Sequence, residues 1–211
     1  MKHLENLAKL FSKNLADNIL IDTYEAGELH ISSGEIIACD PLITNDKAPF
    51  LTQFPKGDFP ILIHKEKESN CVAYVEITFS DKAIKNWELA LCENQNIKEL
   101  ADGEIFGYPV KSGMGCFMDV KTQESLNHLE TRLYHRKGAD FMGIYEEFFH
   151  PFFIDLSGAT NQFSIIKPDE DEAENMIAFE TGYGEGFYGT YIAFDLQNKP
   201  VKIISEFIEM A

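Results

Sequence analysis

Residues 175–207 read NMIAFETGYGEGFYGTYIAFDLQNKPVKIISEF. Asn175 to Glu180 holds the apolar run Met176, Ile177, Ala178 and Phe179 between polar neighbours. Phe187 to Phe194 is rich in aromatic and β-branched residues, and Val201 to Phe207 is again β-prone. Runs of this kind, separated by glycine or Asn/Pro clusters, predict antiparallel strands joined by turns, here a C-terminal three-strand meander. Gly182, Gly184 and Gly186 flank Tyr183 and Glu185. Glycine reaches positive φ without steric cost, so TGYGEG reads as a tight turn. A phosphate-cradling loop needs a helix after it. Here a strand follows, and the loop carries an acid and no Lys or Arg.

Immediately upstream lies Pro168 to Glu174, PDEDEAE, proline-led and poor in large apolar residues. It predicts a solvated, mobile loop. A calcium loop would need a glycine at the sharp bend and a spaced terminal Glu, which this stretch lacks. Between Asp169 and Tyr188 there are seven acids and no Lys or Arg.

Further upstream the pattern is again strand-rich. Glu28 to Cys39 reads as a hairpin turning at Ser32-Ser33-Gly34 and ended by Asp40-Pro41. Asp58 to His64 and Cys71 to Phe79 predict a second hairpin across KEKESN. In its second strand Cys71, Ala73, Val75, Ile77 and Phe79 alternate with Tyr74, Glu76 and Thr78, the pattern of a half-buried strand. Ser80-Asp81 reads as the cap of a helix to Cys92, with Ala83, Ile84, Trp87, Ala90 and Leu91 as its stripe. Glu104 to Val110 is a strand candidate, with a glycine turn or bulge at Gly113 and Gly115. Gln123 to Lys137 predicts a helix with Leu126, Leu129 and Leu133 inward, stopped by Gly138. Asp140 to Phe153 holds six aromatic rings. They read as core, since large aromatics contribute most when buried, with an exposed contact surface as the other option.

At the N-terminus, Leu4, Leu7, Ala8, Phe11 and Leu15 form one stripe over Lys2 to Leu15. Residues 1–16 therefore read as an amphipathic helix packed on the body. Residues 17–211 read as a single α+β domain, mainly antiparallel sheet built from hairpins, with about three helices in all. No internal repeat or dividing linker is apparent in this reading.

Composition narrows the function. The 211 residues carry a formal charge of -17, with only Arg132 and Arg136 as arginines. This opposes binding to nucleic acid or anionic membranes, which require counter-charge. Cys39, Cys71, Cys92 and Cys116 show no C-x-x-C spacing, and the length fits no disulfide framework. The first residues lack the apolar core of a signal peptide, and no window approaches a membrane span. The expectation is a cytoplasmic protein with reduced thiols, no metal site and no cofactor.

GELHISSGEIIACDPL, then W-x-x-A at Trp87 to Ala90 and FGYPVKSGMGCFMD, follow one another in an order that carries a resemblance. They are followed by N-x-x-x-F at Asn175 to Phe179, GYGEGFYGTYIAFD and a closing SEF. Together, from Glu28 to Phe207, they resemble a bacterial family catalogued as domain of unknown function 4241. The resemblance implies a soluble, strand-rich bacterial domain and no particular reaction. The family pattern has an Asp after the Val of YPV, where this chain has Lys111, and G-D-G where this chain has Glu185.

Two classes of function remain. As an enzyme, the chain would use acids that follow strands or turns: Asp40, Asp119, Glu185 and Asp195. Converging, they would serve as a general acid/base pair or hold a divalent metal for hydrolysis. Placed apart, they would be turn caps. A thiol mechanism at Cys39 or Cys116 would need a nearby His, but both read as small core residues. The histidines show no ligand spacing, and no G-x-S-x-G is present. As an interaction protein, the chain would present Glu170, Asp171, Glu172, Glu174, Tyr183 and Glu185 to a basic protein partner. An immunity or antitoxin-like protein covering a basic toxin is the specific form of that reading.

Overall fold

The structure is a computed structural model and describes residues 2–11, 18–154 and 157–210. The fold is α+β and stacks four layers. The inner two are antiparallel sheets, and each outer face carries helix.

The first sheet has six strands. They are β1 (Ile21–Ile31), β3 (Gly57–Glu66), β4 (Val72–Thr78), β12 (Pro200–Glu206), β11 (Thr190–Phe194) and β5 (Asn86–Leu89), in that spatial order. The second has four: β2 (Ile36–Cys39), β7 (Met114–Asp119), β9 (Met176–Glu180) and β8 (Phe163–Ile166). A short ribbon pairs β6 (Tyr108–Val110) with β10 (Gly186–Tyr188).

Side-chain alternation sorts the residues into layers. Ile63, Val75 and Ile203 point from the large sheet toward Ile36, Phe117, Ile177 and Phe179 of the small one, making the central core. Tyr74, Trp87, Tyr191 and Ile204 point the opposite way, under Leu7 and Phe11. These last two extend from α1 (Lys2–Leu10). On the far side Cys116, Met118, Met176 and Ala178 are covered by Leu126 and Leu133 of α2 (Val120–Lys137) and by Phe149 and Phe153. Phe149 ends a π-helical turn, Tyr145–Phe149, and Phe153 ends α3 (His150–Phe153).

Leu7 and Phe11 at the N-terminus pack against the large sheet, while Leu15 and the predicted end of that helix lie outside the described residues. The hairpin of β3 and β4 forms, but β4 is buried on both faces because α1 covers the side read as solvated. Within the aromatic stretch Phe149 and Phe153 are core, whereas Phe141, Tyr145, Phe148 and Phe152 are only half-buried.

Three local expectations are corrected. Glu28 to Cys39 is not a hairpin: β1 pairs with β3 and β2 with β7, so SSG carries the chain from one sheet to the other. Ser80 to Cys92 is not a helix. Asn86–Leu89 is an edge strand on β11, with Trp87 and Leu89 buried and Glu88 exposed between them. A period-two signal of four residues was overlaid by residues that also fit a helical stripe. The C-terminal stretch is not one meander either. β11 and β12 pair as a hairpin in the large sheet, but β9 belongs to the small one, and TGYGEG is a crossover between layers. Strands buried on both faces give no alternation by which to tell their sheets apart.

The structure also reveals a short repeat. Ser33-Gly34 precedes Asp40 by the same spacing as Ser112-Gly113 precedes Asp119. Ala38 and Phe117, equivalent in the two copies, pair with each other, so a local two-fold axis passes between β2 and β7. Gly34 and Gly113 both adopt positive φ, 89° and 81°, which the tight turns require.

Candidate functional site

The repeat decides the fate of two predicted site residues. Asp40 accepts hydrogen bonds from the backbone N–H of Lys111 and Ser112, both at 2.9 Å, from the Ser112 hydroxyl at 2.8 Å and from Leu42 N–H at 3.0 Å. Asp119 accepts from Ser32 N–H at 3.0 Å, Ser33 N–H at 2.9 Å and the Ser33 hydroxyl at 2.8 Å. It also caps α2 through Lys121 N–H at 2.9 Å. Each Asp thus clasps the turn of the other copy. Asp40 accepts two hydrogen bonds on each carboxylate oxygen, whereas Asp119 gathers the Ser32 and Ser33 donors on Oδ2 and takes Lys121 N–H on Oδ1. Asp119 faces Ile36, so Asp40 stands four residues further along the ladder, about 13 Å away by strand rise.

Asp195 belongs to the other sheet. It accepts from Gln197 and Lys199 N–H and is paired with Lys82 at 2.8 Å, fixing the β11–β12 turn. The Lys82 ammonium first, then the Lys199 and Gln197 N–H groups, hold its carboxyl below the usual range. Glu185 is exposed on the crossover loop. The four acids therefore occupy separate places rather than one pocket. Among the described residues no group of three His, Cys, Asp or Glu side chains is placed to hold a metal ion.

The acids offered as a binding set are divided as well. The 168–174 loop joins β8 to the start of β9, while Tyr183 and Glu185 follow its end. The acidic loop is tied to the body. Asp169 pairs with Arg132 at 3.2 Å, Glu172 accepts from Ser125 at 2.6 Å and Glu174 from Ser32 at 3.2 Å. Glu170, Asp171 and Glu172 remain exposed.

At the opposite end of β9 lies a cleft of about 680 Å³. Met176, Ala178 and Glu180 point to the same face of the small sheet, the face that the aromatic helices cover. Among the described residues the face opens beyond Phe153. Met114 and Leu42 form apolar floor and wall, Tyr145 and Phe153 stand opposite, and Thr181 to Gly184 make the rim. Glu180, paired with Met114 in the ladder, is the one carboxylate in the lining among the described residues. Among the described residues it has no side-chain hydrogen bond or ion pair.

The rim is preset. Gly184 N–H bonds to Thr181 C=O at 2.6 Å and Gly182 N–H to Val72 C=O at 3.1 Å. The Tyr188 hydroxyl donates to Gly184 C=O at 2.8 Å. Thr181 N–H reaches Gly113 C=O at 3.0 Å, joining this turn to the one Asp40 clasps. The Gly184 N–H is spent within the loop, and those of Thr181 and Gly182 on Gly113 and Val72 outside it. Tyr183 projects from the rim, 74% exposed. Sequence reasoning missed Glu180 and the aromatic wall. The available signal was that Glu180 closes the alternation Met176, Ala178, Glu180.

Fold and site together define a two-sheet α+β protein with an open, mostly apolar cleft in which Glu180 is the acid among the described residues. Residues 29–205 match the family model described as "Protein of unknown function (DUF4241)", and the chain belongs to that family. No curated protein and no solved structure matches it. No helix among the described residues is long and apolar enough to cross a membrane.

Proposed function

We propose that this chain is an acidic interaction protein of the bacterial cytoplasm that binds a basic protein partner, with a lysine or arginine side chain of the partner entering the cleft. The observation that carries this reading is the chemistry of the lining. Apolar walls suit the alkyl stem of such a side chain, and the Glu180 carboxylate, unpartnered among the described residues, suits its cationic head. The formal charge of -17 adds a field that accelerates encounter with a basic surface. An immunity or antitoxin-like protein covering a basic toxin is the specific form that fits. Nothing in the geometry favours the hydrolase alternative, since Asp40, Asp119 and Asp195 are committed to turns.

Co-purification from the native host at low salt tests the proposal. A stoichiometric basic partner is expected, released as ionic strength rises. With that partner in hand, Glu180→Gln is expected to weaken binding by about 2 kcal/mol or more, roughly 30-fold in Kd. Glu170→Gln, at the far end of β9, is expected to change it little. Recovery of no partner, or equal effects of the two substitutions, would count against the proposal.

A further inference from the structure

We infer that Cys39 and Cys116 form a redox modification site, an acceptor of hydroperoxide oxidation that closes to a cross-strand disulfide. The two residues face each other across β2 and β7. Their sulfurs are 3.7 Å apart. Directly opposed residues of an antiparallel pair have Cα separations of about 4.5–5.5 Å, inside the range of about 4.4–6.8 Å that a disulfide spans. Joining the sulfurs therefore needs side-chain adjustment and no change of register.

Both cysteines are buried, at 1% and 0% exposure, on the face that continues into the cleft. Met114, two residues before Cys116 on that face, lines the cleft floor. A small peroxide entering there is one side-chain layer from the sulfurs. Cys71 and Cys92, by contrast, are half-exposed and stand apart from this pair.

The two thiols are not equivalent. The Cys116 thiol donates to Cys39 C=O at 3.2 Å, which commits its hydrogen. Burial first, and then the neighbouring Cys39 thiol, push Cys116 well above the ordinary thiol range. Cys39 is accordingly the sulfur that attacks. Its attack breaks the peroxide O–O bond and gives a sulfenic acid, and the leaving oxygen takes the thiol proton as water or an alcohol. The Cys116 sulfur then attacks the Cys39 sulfur. The S–S bond forms, the S–O bond breaks, and the hydroxyl leaves as water with the Cys116 proton. Two thiols lose two electrons and the peroxide gains them.

The test uses the full-length reduced protein treated with hydrogen peroxide, then alkylated in denaturant and mapped without reductant. Expected is a mass loss of two hydrogens, a linked peptide pair containing Cys39 and Cys116, alkylated Cys71 and Cys92, and full reversal by dithiothreitol. In Cys116→Ser a dimedone adduct is expected on Cys39. Links involving Cys71 or Cys92, or oxidation to sulfinic acid without a link, would overturn the inference. So would unchanged Cys39 and Cys116 at peroxide levels that oxidise Cys71. If the variant fails to fold, the wild-type peptide map decides alone.

Discussion

Asp40 and Asp119 show how a residue that reads as chemistry becomes architecture. Each accepts two consecutive backbone N–H groups and a serine hydroxyl from the other's turn. Asp40→Asn and Asp119→Asn should each cost about 2–4 kcal/mol, because an amide replaces one acceptor by a donor facing N–H groups. Urea unfolding would measure this. Another buried acid, Glu76, acts through charge. Burial pushes Glu76 up, but the His64 hydrogen bond and the Lys202 ammonium overcome it and hold it at about 2, against an ordinary 4.5. Between those values the unfolded chain binds the proton and the native one does not, so this stability is lost as pH falls from about 4.5 toward 2. Glu206 runs the other way. Burial and the Glu209 charge raise it to about 7 against the Tyr74 hydrogen bond, so stability falls as pH rises from 4.5 to about 7. Thermal melts across pH should show Glu76→Gln flattening the first limb and Glu206→Gln the second. The sequence named Asp40 and Asp119 as strand-end acids, but which turns they would bind depends on a pairing 79 residues apart and is invisible locally.

At the scale of elements, what was legible depended on how a segment is buried. The β3–β4 hairpin and α2 with its Gly138 stop were readable because turn and cap chemistry is local. Asp119 caps α2 directly, so that helix begins at Val120 rather than Gln123. β5 was not readable, since Trp87 falls on a helical stripe with Ile84, Ala90 and Leu91 as well as on the buried face of an edge strand. Glu180 was hidden for a related reason: it ends a strand whose earlier residues are buried on both faces. Strand β7 offers a sharp test of layer packing. A Cβ on Gly115 would lie 2.6 Å from the Phe179 ring and 3.0 Å from Thr181 Cγ2. Gly115→Ala should therefore destabilise by about 1–3 kcal/mol through overpacking, measured by the shift in melting temperature. Gly103→Ala, which meets open space but sits at a φ of 87°, should cost less.

For the molecule as a whole, composition and strand frequency sufficed for the α+β class, while the division of strands between two sheets did not follow from them. β1 and β2 are neighbours in sequence yet lie in different sheets, and β9 and β11, separated by the short β10, also lie in different sheets. Only long-range pairing assigns them. The reciprocal clasp has one more consequence. Asp40 grips residues 111–112 and Asp119 grips residues 32–33, so the chain between them departs from and returns to a single knot. Severing that excursion leaves the knot tied, because its partners then sit on two polypeptides instead of one. Co-expressed fragments 1–68 and 69–211, divided in the turn after β3, should purify together as a folded heterodimer. They should fall apart when Asp40 and Asp119 are both replaced by alanine. In this light the clasp is a built-in splice point, at which two halves recognise each other without a covalent thread.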